Sequence, residues 1–133
     1  MPQIQEVLSN SYKMKAGETT LSQGCVAVHT STADECARPT GTTADKPVGV
    51  LRDAEHEAGK VQTYQVMGFT KVKISAAVSV GDKLTISGVD GRVRKIVNPV
   101  DAGMPVIGIA QEAATSANSK IIALLTIGQV HNS

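Results

Sequence analysis

At 133 residues the chain is long enough for one domain and too short for two large independent ones. Hydrophobic residues at 41% and charged residues at 19% give the balance of a soluble globular protein, and a net charge of +1 excludes strong electrostatic capture of nucleic acid. With only Tyr12, Tyr64 and Phe69 as aromatics and no Trp, the core falls to Val, Ile, Leu, Ala and Met, and an aromatic stacking platform for single strands is excluded.

Residues 1–20 are polar, with scattered Ile4, Val7, Leu8 and Met14 and no turn signal before Ala16-Gly17. They predict an extended N-terminal arm or edge strand, with a frayed terminus as the alternative, ahead of one β domain over 21–133, and they lack the basic region and apolar run of a secretory signal. Period-2 runs then dominate. Strands are expected at Cys25–His29, Pro47–Leu51, Lys60–Met67, Lys71–Ser75, Lys83–Ser87, Arg92–Val97, Pro105–Ile109 and Lys120–Ile127. Val89-Asp90-Gly91 reads as a hairpin turn, because Asp-Gly tolerates the positive φ such turns require. Glu55–Gly59 and Ala113–Asn118 read as helical turns or tight loops. Many short strands with this punctuation predict an all-β fold, a small barrel or a jelly-roll-like sandwich. Val66 and Leu124 are expected to face the core.

The chain also echoes itself. Pro47-Val-Gly-Val50, Asp53-Ala54, Ala58, Lys60-Val61 and Gly68 recur in order as Pro105-Val106, Gly108-Ile109, Glu112-Ala113, Ala117, Lys120-Ile121 and Gly128. Val26-Ala-Val28 and Leu84-Thr-Ile86 extend the echo upstream. Two similar β units, about 20–68 and 78–128, follow from it, with chance similarity between Ala-, Val- and Gly-rich strands as the alternative. Two copies make a pseudo-symmetric domain, since repeat arrays need at least ~3 units.

Residues that carry chemistry are scarce. Cys25 and Cys36 fit no CxxC knuckle and read as buried free thiols, with a bridge across a hairpin near 29–32 as the alternative. His29, His56 and His131 stand in unrelated contexts, Glu55-His56-Glu57 cannot converge on one metal, and no nucleophile elbow or phosphate loop is found. The expectation is a non-enzyme without metal or cofactor. Lys71, Lys73, Arg92, Arg94 and Lys95 include two alternating pairs, each on one face of its strand; they form either a positive docking strip or a solvated outer face.

The ordered set Lys71-Val-Lys-Ile-Ser-Ala-Ala-Val-Ser-Val-Gly-Asp-Lys-Leu84, a strand pair around Asp90-Gly91, Pro105-Val-Ile-Gly-Ile-Ala-Gln-Glu-Ala-Ala114 and Ile121-Ile-Ala-Leu-Leu125 resembles tailed-phage capsid cement, or head decoration, proteins over residues 45–128. The segment 24–44 fits less closely. The resemblance implies a virion protein, made in the host cytoplasm, that binds the outer capsid surface and bridges neighbouring major capsid protein subunits. It implies a homo-oligomer, a trimer rather than a dimer by family analogy, with no sequence-specific nucleic acid, no membrane and no catalytic residues. Ile4, Val7, Leu8, Lys71, Lys73, Arg92 and Arg94 are the capsid-binding candidates. Two other classes stand beside this one: a β-barrel module binding ligand or glycan through the loops around 30–44, and an oligomeric enzyme with an inter-subunit site.

Overall fold

The structure is a computed structural model that describes residues 9–52 and 55–131. Its strands are β1 (Ser9–Met14), β2 (Leu21–Ser22), β3 (Val26–His29), β4 (Glu35–Ala37), β5 (Pro47–Leu51), β6 (Glu55–His56), β7 (Val61–Gln65), β8 (Met67–Lys73), β9 (Lys83–Ile86), β10 (Val93–Lys95), β11 (Pro105–Ala110) and β12 (Lys120–Val130). Among the described residues there is no helix. The expected all-β fold is realised as a closed barrel in the order β1-β4-β3-β5-β7, a five-stranded sheet in the order β10-β9-β11-β12-β8, and the small ribbon β2-β6.

The two larger sheets repeat one plan. In the first, β4, β3, β5 and β7 are antiparallel neighbours, and β1 runs antiparallel to β7 and closes on β4 in parallel at Lys13–Glu35 and Met14–Cys36. In the second, β10, β9, β11 and β12 are antiparallel neighbours and β8 runs antiparallel to β12. A single parallel bridge between Ile74, just beyond β8, and Val93 of β10 brings its two edges together and curls this sheet into a second barrel, closed by one bridge where the first is closed by paired strands. The first strand of each unit is thus β1 or β8, upstream of the boundaries that the sequence echo suggests.

One residue type marks the equivalence physically. A Cβ on Gly49 of β5 would lie 2.5 Å from the Gln65 carbonyl oxygen, and one on Gly108 of β11 would run into the Leu124 carbonyl. Both glycines permit a close approach between backbones, beside a break in register in each sheet.

Ser9–Met14, expected within the arm, is instead a barrel strand. Tyr12 and Met14 alternate toward the first core, while Asn10, Ser11 and Lys13 meet solvent and make the segment read as polar. Ile4, Val7 and Leu8 lie outside the described residues.

The cores interlock. Met14, Leu21, Cys25, Ala27, Cys36, Val48, Leu51 and Tyr64 fill the first barrel. Val72, Ile74, Leu84, Ile86, Val93, Ile107, Ile121 and Leu125 fill the second, joined by Val26, Val28 and Val50. Successive residues of β3 therefore serve opposite cores, which explains the unbroken apolar run Cys25-Val-Ala-Val28: both of its faces are buried. In β12 the buried positions are Ile121, Ala123 and Leu125, so Leu124 faces outward, contrary to expectation.

Candidate interaction surface

The sequence-marked cations all lie on the outside of the second barrel. Val72, Ile74 and Val93 point inward, so Lys71 and Lys73 project from the outer face of β8, and Arg92 and Arg94 from the β10 hairpin. The arginines, however, are engaged within the chain. Arg94 grips Asp101 with two parallel bonds, Nη1 to Oδ2 at 2.7 Å and Nη2 to Oδ1 at 2.8 Å, and Asp101 Oδ2 also accepts the Val97 amide at 2.7 Å. The Arg94 hydrogen bonds hold the buried Asp101 carboxyl down at about 2 against the opposing effect of burial. Arg92 Nε donates to Asp90 Oδ2 at 2.7 Å, and its Nη1 to Asn118 Oδ1 at 2.9 Å. Sequence spacing marked the guanidiniums but gave no sign of Asp101, which pairs across a loop.

Lys71 has a different setting. It lines a cleft of about 410 Å³ between the barrels together with Gln23, Leu51, Arg52, Gln65, Thr70 and Lys120. Gln23 organises the floor: its amide nitrogen donates to the Arg52 carbonyl at 2.8 Å, and its amide oxygen accepts Lys120 Nζ at 3.0 Å. Arg52 Nη1 reaches Ser9 Oγ at 3.3 Å. Gln65, buried, donates to the carbonyls of Met67 and Phe69 at 2.9 Å each and fixes the turn from β7 into β8. Three cations therefore line this cleft, and no described carboxylate does. Sequence reading missed Arg52 and Lys120, which lie far from Lys71 along the chain.

Beside the cleft the outer face becomes apolar. Ile109, Leu124 and Phe69 stand directly across from one another on β11, β12 and β8, flanked by Lys83 on β9. Met67 and Phe69 are 48% and 52% exposed, well above the usual burial of such side chains.

Several of the remaining polar groups are bonded within the chain. His56 is buried; its Nε2 donates to the Lys60 carbonyl at 2.6 Å, so its Nδ1 accepts the Tyr64 hydroxyl at 2.8 Å, and Tyr64 in turn accepts Cys36 Sγ at 3.8 Å. Burial pushes the Tyr64 phenol well above its ordinary range and the Cys36 thiol up to about 11. Both cysteines are free and buried in the first core, and Cys36 stands opposite His29 in the β3–β4 pair. His29 is exposed and packs edge-on against Tyr12, while His131 meets Asn98. No three His, Cys, Asp or Glu side chains among the described residues are grouped to hold a metal. In the loops around 30–44, Asp45 gathers the amides of Thr40, Gly41 and Thr42 and the Thr40 hydroxyl, so these groups are turned toward the loop itself.

No family model and no curated protein matches the sequence. Among solved structures, the chain is similar to the N base of head fiber gp8.5 from bacteriophage phi29. The two share the fold at a TM-score of 0.64 and 16% identity, over 95% of this chain and 99% of that one.

Proposed function

We propose that the protein is a structural component of a tailed-phage virion, bound to the outside of the icosahedral head as a homo-oligomer, a trimer, and bridging neighbouring major capsid protein subunits. The observation that carries this reading is the near end-to-end likeness in fold to the base of a phage head fiber, which supports a place on a phage head. Such a role needs no reacting groups. A protein present in many copies stabilises a lattice through multivalent contact, so each interface can be modest. Lys71, Lys73 and the neighbouring apolar row supply the docking face. Ile4, Val7 and Leu8, outside the described residues, are further candidate contacts with the shell.

Empty heads of the encoding phage, mixed with purified protein and pelleted, should carry it down in fixed ratio to the major capsid protein. Decorated filled heads should release their DNA at a higher temperature than bare ones. Protein left in the supernatant at every mixing ratio would overturn the proposal, and sedimentation of the free protein as a monomer would overturn the oligomer.

A further inference from the structure

The inter-barrel cleft gathers like charge. Lys73 and Lys120 stand directly opposite each other in the β8–β12 pair, with Lys71 on the adjacent diagonal, and like charges facing each other across a sheet destabilise it. Among the described residues only Arg92 and Arg94 form ion pairs, so what sets this cleft apart is that three cations converge in it. Arg52, Lys71 and Lys120 make no such pair among the described residues, their side-chain bonds going only to Ser9 and Gln23. A local conflict that the fold tolerates and does not neutralise is a mark of a binding site.

From this geometry we infer that the cleft formed by Arg52, Lys71 and Lys120 is the receptor for an acidic polypeptide segment of the partner, whose carboxylates enter the cleft and whose apolar residues lie on Phe69 and Leu124. The inference rests on the shell-binding reading and names the chemistry of the surface met. The ligand is a polypeptide because the cations give way within one strand step to an apolar row: Lys71 is opposite Ile122, and Phe69 opposite Leu124. A nucleic acid backbone would need a continuing basic track or a row of stacking rings. Phe69 is the only aromatic on this face, and the whole chain has a net charge of +1.

The test is binding of a fluorescein-labelled peptide of alternating glutamate and leucine to the full chain, read by anisotropy. The combined substitution Arg52→Gln, Lys71→Gln and Lys120→Gln should weaken it at least tenfold with a melting temperature no lower than that of wild type. The equal charge change Lys13→Gln, Lys15→Gln and Lys46→Gln should leave it intact, and a glutamine version of the peptide should not bind. Equal binding by both triple variants would overturn the inference. So would a single-stranded oligonucleotide or inorganic phosphate that competes as well as free peptide does. Head pelleting separates the two readings: wild-type protein that fails to pellet defeats the shell reading. Wild-type and cleft-variant protein that pellet alike defeat the receptor and leave the shell reading standing.

Discussion

Asp101 is the residue on which the second barrel depends most sharply on pH. Its carboxyl is buried, accepts two bonds from Arg94 and one from the Val97 amide, and is held at about 2. A carboxyl in an unfolded chain titrates near ~3.9. Because the folded value is the lower, the stabilisation is fully present above about pH 4 and is lost as pH falls toward 2. Its size is on the order of 1–2 kcal/mol once screening at the partly exposed Arg94 is allowed for. Asp101→Asn should therefore lower the melting temperature at neutral pH, and the gap to wild type should close on acidification to about pH 2. A gap that stays constant would mean that the bonds act through geometry alone. The thiols give a second expectation. Burial raises both Cys25 and Cys36 above the ordinary thiol range, and the thiolate is the reactive form. An aromatic disulfide reagent at mildly alkaline pH should leave both unmodified until the chain unfolds, and rapid labelling of native protein would contradict their placement.

At the scale of strands, the phase of β12 is the clearest test. Leu125 is in the core, so Leu125→Ala should cost about 2 to 4 kcal/mol, whereas Leu124→Ala on the outer face should cost about 1 or less. Equal losses in thermal melts would put the strand one residue out of phase. Sequence could not fix that phase, because Ile121-Ile-Ala-Leu-Leu125 is apolar at every position, and a period of two has no meaning where neither face is polar. The register with β8 and β11 decides it instead. The same reasoning sorts the rest. Most strands from β3 onward that carry Val, Ile or Leu in alternation were legible, as was the turn at Asp90-Gly91, but the expected strand Lys60–Met67 ran through the turn between β7 and β8, where Val66 is only half-buried and outside the core. The ribbon strands β2 and β6 and the three-residue β4 are too short to carry a period, and β1 hid because its outward side chains are polar. Lys71 was legible as an exposed cation and Lys73 as an outward-facing one, though Lys73 is half-buried. Arg52 and Lys120 were not, since only the meeting of two barrels brings them to the same cleft.

The molecule as a whole should behave as one cooperative unit despite its duplicated plan. Val26, Val28 and Val50 belong to strands of the first barrel, yet they pack among the core residues of the second. Separating the halves would expose that shared wall, so neither barrel has a complete surface of its own. The closing strand makes the same point from the N-terminus. β1 pairs along β7 from Ser9 to Lys13 and buries Met14, so a deletion of residues 2–15 removes one wall of a closed barrel, and the unpaired edges of β7 and β4 would be left open. A deletion of residues 2–8 spares every one of these pairs. Tyr12 and Tyr64 both lie in the first barrel, so tyrosine emission follows that half while far-ultraviolet dichroism follows both. In wild type and in the 2–8 deletion the two signals should melt together in one transition. In the 2–15 deletion both should be lost together, because collapse of the first barrel strips the shared wall from the second. A 2–15 deletion that lost the tyrosine transition but kept a cooperative dichroism melt would show that the second barrel folds alone, and that the shared valines pack there without being required.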